Sequence, residues 1–205
     1  MRHAITTVIL AGGLGKRIGG AKGLQLLRGK PLLGWVLDSV GGQSGEVLIN
    51  ANGAPDGYTH FGHRIVADRI PGWAGPLAGL HAALHSAQYE LVACVPCDTP
   101  FLPDDLLPRL LAAVGADAVD AAVAVVGGKR QPTIGLYRKS VLSGLDAYLH
   151  SGGRKVADWQ DTLRLHEVVF DNAAAFANIN SHDELVQAGL AAREADAARS
   201  ANRNL

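Results

Sequence analysis

ITTVILAGGLGKRIGGAKG, residues 5–23, sets the apolar run Ile5–Leu10 directly against a glycine-rich loop that carries Lys16, Arg17 and Lys22. Thr7–Leu10 reads as a buried strand, because the run is short, apolar and closed by glycines. Open α/β sheets bind ligands just outside the carboxyl ends of their strands, so the loop lies where such folds place their chemistry. Glycines let backbone N–H groups approach an anion, and the three cations neutralise it. The pattern points to a di- or triphosphate. It is neither standard phosphate loop: a Walker A motif would need glycine where Leu10 stands and Ser or Thr where Arg17 stands, and the dinucleotide fingerprint fails at Ile18.

Outward from this loop, helical and strand patterns alternate. Leu32–Val40 reads as a helix after Pro31, and Glu46–Asn50 and Arg64–Ala67 read as strands. Pro76 suits the first turn of a helix over Leu77–Ala87, which feeds the apolar strand Leu91–Val95. A helix at Asp104–Val114, strands at Ala121–Val126 and Thr133–Tyr137, a helix at Val141–Leu149 and a strand at Arg164–Phe170 follow. Ser181, with Glu184 three residues on, forms a capping-box signature for a helix over Asp183–Leu190. This rhythm predicts an α/β fold with a mostly parallel sheet and right-handed crossovers.

With 205 residues the chain suits one domain. We place it at residues 1–190, followed by a charged, Ala-rich tail at 191–205 that is expected to be a frayed helix end or disordered. Lys plus Arg and Asp plus Glu balance at 19 each, so no global field draws the chain to nucleic acid or to an anionic membrane. The apolar stretches fall short of a spanning helix or a secretory signal, which predicts a cytoplasmic protein. Cys94 and Cys97 form a C-x-x-C, and His81 and His85 are spaced i, i+4, but order and spacing do not match a zinc finger. Buried free thiols are the expected reading.

Other strand ends meet the loop at the same sheet edge. Asp98, in Val95-Pro96-Cys97-Asp98-Thr99-Pro100, would face a polyphosphate across a cation, and Mg²⁺ takes oxygen ligands from one or two carboxylates plus phosphates. Asn50, Asn52 and Asp68 follow the second and third strands. Their amides and carboxylate suit a base or a ribose, and Asp68 can accept the paired N–H donors of guanine.

Together, Leu10-Ala11-Gly12-Gly13, Arg17-Ile18-Gly19-Gly20, Lys22-Gly23, Gly29-Lys30-Pro31-Leu32, Asn50-Ala51-Asn52, Asp68, Pro71–Gly79 and Pro96–Pro100 resemble the molybdenum cofactor guanylyltransferases. The match continues through Gln131-Pro132-Thr133, Gly152–Val156 and Phe176–Asn180, to about Leu190. In place of the acidic residue that usually precedes the family's loop lysine, this chain has Ala21.

The resemblance implies a three-layer Rossmann-like nucleotidyltransferase domain, with GTP and Mg²⁺ in the half up to about residue 100 and the acceptor in the half from 101 to 190. GMP would pass from GTP to molybdopterin, with or without its molybdenum, and pyrophosphate would leave. Leu10, Ala11, Gly12 and Gly13 would line the nucleotide pocket, Lys22 would contact phosphate, Asn50 and Asp68 would hold the nucleoside, and Asp98 would carry the metal. Lys22, Arg17 and Asp98 form the catalytic set. Gly75, Pro76, Gly79, Arg154, Lys155, Asn178 and Asn180 match segments associated with the pterin. The resemblance further implies contact with the molybdenum-inserting enzyme and with acceptor molybdoenzymes. Three rival readings are a cytidylyltransferase for the same acceptor, disfavoured by Ala11-Gly12-Gly13; a sugar-nucleotide pyrophosphorylase, for whose sugar-binding region this chain is short; and a non-catalytic nucleotide or cofactor carrier.

Overall fold

Alternation along β1 (His3–Leu10) decides the layering: Ile5 and Ile9 enter one apolar cluster and Val8 the other. A strand whose successive side chains are buried on opposite faces needs cover on both, and helices supply it. The structure is a computed structural model that describes residues 3–13, 21–53, 55–72, 75–115 and 119–189; Lys16, Arg17 and the 191–205 tail lie outside these.

After a short hairpin of β2 (Leu26–Leu27) and β3 (Lys30–Pro31) come α1 (Leu32–Val40), β4 (Ser44–Asn50) and β5 (Arg64–Val66). Next are α2 (Pro76–Ser86), β6 (Leu91–Pro96), α3 (Leu106–Val114), β7 (Ala121–Val126) and β8 (Lys129–Arg138). The chain continues through α4 (Leu142–His150), α5 (Val156–Gln160) and β9 (Leu165–Phe170) to a helix over 182–189. The main sheet has seven strands in the order β5-β4-β1-β6-β8-β7-β9. Only β8 opposes its neighbours: it is antiparallel to β6 and β7, whereas β1/β4, β1/β6, β4/β5 and β7/β9 are parallel. The predicted α/β class and mostly parallel sheet are therefore present, and the reversed strand is explained by the two-residue connection Gly127-Gly128 between β7 and β8. Both glycines have positive φ, at 55° and 72°, the left-handed geometry that tight hairpins require.

One face is covered by α1 and α3, through Leu33, Val36, Leu106 and Leu110. The other is covered by α2, α4 and α5, through Leu77, Leu80, Leu84, Leu145 and Trp159. Among the described residues no helix is long and apolar enough to cross a membrane. The hairpin and α5 carry no periodic signal long enough to read locally. The capping box is formed as expected: the Ser181 hydroxyl accepts from the Glu184 N–H, and the Glu184 carboxylate accepts from the Ser181 N–H, both at 3.2 Å.

Cys94 and Cys97 fall on opposite faces of the sheet, in different clusters, so the C-x-x-C is neither a disulfide nor a metal half-site. Burial pushes both thiols up to about 12, and the charge of Asp98 adds to the effect at Cys97. Thiolate is the reactive form. The native protein is therefore expected to resist iodoacetamide at mildly alkaline pH and to label at both cysteines on unfolding; rapid native labelling would contradict this placement.

Candidate nucleotide and acceptor site

β1, β4 and β6 end together because their register is continuous: Leu10 pairs with Asn50 on one side and Pro96 on the other. Beyond these ends opens a cavity of about 330 Å³. Leu10, Gly12 and Gly13 line it from the first strand end, Asn50 and Asn52 from the second, and Asp68 from beyond β5. Pro96, Cys97 and Asp98 close the β6 side, with Lys22, Gly75, Pro76, Thr133 and Asn178 around them. Residues expected on the nucleotide side and, from the acceptor side, Gly75, Pro76 and Asn178 thus line one cavity.

Its electrostatic centre is an ion pair. The Lys22 ammonium donates to Asp98 Oδ2 and, at 2.6 Å, to Asn180 Oδ1. The pair is mostly covered, with side chains 17% and 13% exposed. Asp98 Oδ1 is buried and has no hydrogen-bond partner. Buried carboxylate oxygens are normally satisfied, so this unpartnered oxygen, on a residue that lines the cavity, has unused acceptor capacity of the kind a hard cation takes up. The C-terminal segment is clamped to the same strand end: Ile179 N–H donates to the Asp98 carbonyl at 2.9 Å, and the buried Thr99 hydroxyl donates to Asn178 Oδ1 at 2.7 Å.

A second network fixes the opposite wall. Asn50 Nδ2 donates to Asp68 Oδ1 at 2.9 Å and to the Val66 carbonyl at 3.2 Å. Asn52 Nδ2 donates to Asp68 Oδ2 at 2.8 Å and its Oδ1 accepts from the Asp68 N–H at 2.9 Å. Both carboxylate oxygens are thereby oriented, and each keeps lone-pair capacity for a further donor. Gly12 and Gly79 make room for this wall. A Cβ on Gly12 would sit 2.8 Å from Asn52 Nδ2, and one on Gly79 would meet Asn50 Oδ1 and lie 2.6 Å from Leu10 Cδ2.

Not every expected residue faces the cavity. Ala11 is buried in the core, with its N–H spent on the Asn50 carbonyl at 2.8 Å, and Gly79 supports Asn50 from beneath. The Arg154 guanidinium donates to the carbonyls of Leu149 and Gly153, at 2.8 and 2.7 Å, and so caps the end of α4. The exposed Lys155 stands 3.8 Å from Asp158. Neither lines the cavity. Tyr58, which the sequence did not suggest, is buried with its hydroxyl 3.5 Å from the Ala11 carbonyl and its ring against Gly23, so it touches the chain on both sides of the glycine loop. Burial raises it to about 12, which keeps it neutral. It lies in a 3-10 segment, Pro55–Phe61, whose pattern carries no periodicity to announce it.

The family model for the MobA-like NTP transferase domain matches residues 7–166. A molybdenum cofactor guanylyltransferase of Cupriavidus pinatubonensis is 47% identical over 190 residues, covering 90% of this chain and 96% of that one. Its namesake in Burkholderia lata is 46% identical over 200 residues, covering 93% and 97%. Among solved structures, molybdopterin-guanine dinucleotide biosynthesis protein A of Archaeoglobus fulgidus superposes with a TM-score of 0.79 at 24% identity, covering 92% of this chain and 99% of that one. A 4-diphosphocytidyl-2C-methyl-D-erythritol synthase of Anaerococcus prevotii reaches 0.73 at 14% identity, covering 92% and 96%; at these identities the likeness is one of fold.

Proposed function

The chain belongs to the MobA-like NTP transferase family, and from that membership we propose that it transfers GMP from GTP to the terminal phosphate of molybdopterin, forming the guanine dinucleotide form of the cofactor. The carrying observation is the cavity at the β1, β4 and β6 ends, which sets a cation, a bare carboxylate oxygen and an oriented amide–carboxylate wall around one space.

In this reading GTP lies with its base against Asn50, Asn52 and Asp68, whose carboxylate accepts the guanine N1–H and N2–H groups. Its phosphates lie over Gly12 and Gly13 toward Lys22. An oxygen of the acceptor phosphate attacks the α-phosphorus, the bond from that phosphorus to the bridging oxygen breaks, and pyrophosphate departs with the electron pair. Such a transfer needs no protein nucleophile; positioning and charge neutralisation carry it. Lys22 leaves Asp98 for the phosphates, and Asn180 guides its ammonium. Asp98, with its buried partnerless oxygen, fits Mg²⁺, which when bound would neutralise phosphate charge beside it. Arg17, outside the described residues, is proposed as a further cation for the phosphates. Gly75 and Pro76, at the α2 N-terminus, and Asn178 border the side open to the acceptor, where a helix N-terminus favours an anion. The nucleotide-binding half then ends near residue 100 and the acceptor-binding half runs from there to about 190.

The direct test is pyrophosphate release by the purified protein with molybdopterin and Mg²⁺, comparing GTP, CTP and ATP. Release with GTP alone is expected. Release with CTP would reassign the base, and tight GTP binding without release would make the protein a carrier.

Gly79→Ala tests the oriented wall without touching a reacting group. The added methyl overpacks the Asn50–Leu10 contact, so stability is expected to fall by about 1–3 kcal/mol. With Asn50 displaced, the GTP KM is expected to rise by about tenfold, read by initial rates over a GTP series.

A further inference from the structure

The loop cations and strand-end carboxylates leave unused the i, i+4 histidine pair His81 and His85. Both project from α2 toward Asp146 of α4, and one ligand atom from each of the three lies within 4.8 Å of the others. Among the described residues this is the one such group of histidine, cysteine and carboxylate side chains. His81 Nε2 stands 3.0 Å from Asp146 Oδ1, close to the separation of about 3.3 Å for two donors sharing a zinc ion at tetrahedral angles. The His81 and His85 rings meet edge to face, with centroids 4.6 Å apart.

His81 is buried, its Nδ1 has no hydrogen-bond partner, and the hydrogen bond its ring makes through Nε2 is to Asp146, the residue it would share a metal ion with. His85 is exposed and Asp146 is half-buried, and both border a surface pocket of about 430 Å³ shared with Lys139, Ser140 and Ser143, which gives an entry path. Lys139, the cation in that lining, is turned aside: its ammonium donates to the Ala87 carbonyl at 3.0 Å. His150, one turn on in α4, has its Nδ1 2.8 Å from the Asp146 backbone carbonyl and 3.5 Å from Oδ1.

We propose that His81, His85 and Asp146 form a binding site for a late first-row divalent ion of the zinc type, with water completing the coordination. Two imidazoles and one carboxylate are the donor set that such ions select and that Mg²⁺ does not. The site is separate from the Asp98 cavity. It sits in the C-terminal half of α2, about 7–14 Å along the helix axis from Pro76 at the cavity rim. A bound ion would pin α2 to α4, two helices otherwise joined by apolar contacts.

The test uses the full-length protein stripped of metal and titrated with Zn²⁺ alone by calorimetry, and with Co²⁺ followed in the visible spectrum. One saturable Zn²⁺ per chain at this site, a rise in melting temperature and a Co²⁺ ligand-field band are expected. His85→Gln and Asp146→Asn, both at accessible positions, should each weaken binding by about 10- to 100-fold or more and abolish the band. Asp98→Asn should leave it intact, which separates this site from the nucleotide cavity. Guanylyl transfer without added zinc should be the same in His85→Gln as in the wild type. No saturable binding, or Zn²⁺ affinity unchanged in both variants, would overturn the proposal.

Discussion

Asp98→Asn is expected to lower guanylyl transfer by about 10²–10³-fold at saturating GTP while the protein stays folded, because it removes the charge that the proposed function sets beside the reacting phosphates. The asparagine keeps the shape and still offers a carbonyl oxygen to Lys22, which also holds Asn180 at 2.6 Å. Because the asparagine oxygen and Asn180 still accept from the mostly covered Lys22 ammonium, loss of the charge should cost stability only about 1 kcal/mol. What disappears is the bare Oδ1 and its charge. A rate series over Mg²⁺ concentration should show the ion requirement shifted to far higher levels. Wild-type turnover in this variant would remove Asp98 from the proposed metal role, whereas a collapse in melting temperature would show the carboxylate to be mainly structural.

Lys22→Met should reduce kcat/KM by at least about 10²-fold, since the substituted chain retains the apolar stem and loses the one described cation in the cavity lining. Its structural signature differs from that of Asp98→Asn. Removing the lysine strands a mostly buried carboxylate with neither oxygen paired, which is expected to destabilise the protein by about 1–3 kcal/mol. The double variant Lys22→Met with Asp98→Asn should then be more stable than Lys22→Met alone and equally inactive, a coupling that a double-mutant cycle measures directly. Lys22→Arg should not restore full rate, because a planar guanidinium does not replace a compact ammonium held between Asp98 and Asn180. Equal stability losses that simply add would show that the observed pair contributes nothing to the fold.

The local signals in the chain were strong enough to be read directly. Thr7–Leu10 lies in a strand, Leu32–Val40 forms a helix with those bounds, Pro76 occupies the first turn of α2, and Ser181 and Glu184 cap each other. Each depends on residues within a few positions of one another, where backbone propensity and side-chain periodicity act. Asn50, Asp68 and Asp98 were legible for a related reason: residues that end parallel strands must gather at one sheet edge. Arg154 shows where such reading stops. A cation near an expected ligand segment looks the same in sequence whether its side chain lines the cavity or, as here, donates to the carbonyls of Leu149 in α4 and of Gly153 just beyond it.

The sequence by itself thus determined the α/β rhythm, the glycine loop after the first strand and the polar residues at the strand ends, because these follow from spacing along one segment. Only the tertiary structure decided that β8 lies between β7 and β6 and runs antiparallel to β6, that Lys22 meets Asn180 across 158 residues of chain, and that Asn178 docks on Thr99 across 79. It also joined His81 and His85 to Asp146. Contacts of this kind are chosen by how packed elements satisfy buried polar groups in three dimensions. Neither partner's local sequence carries the other's position.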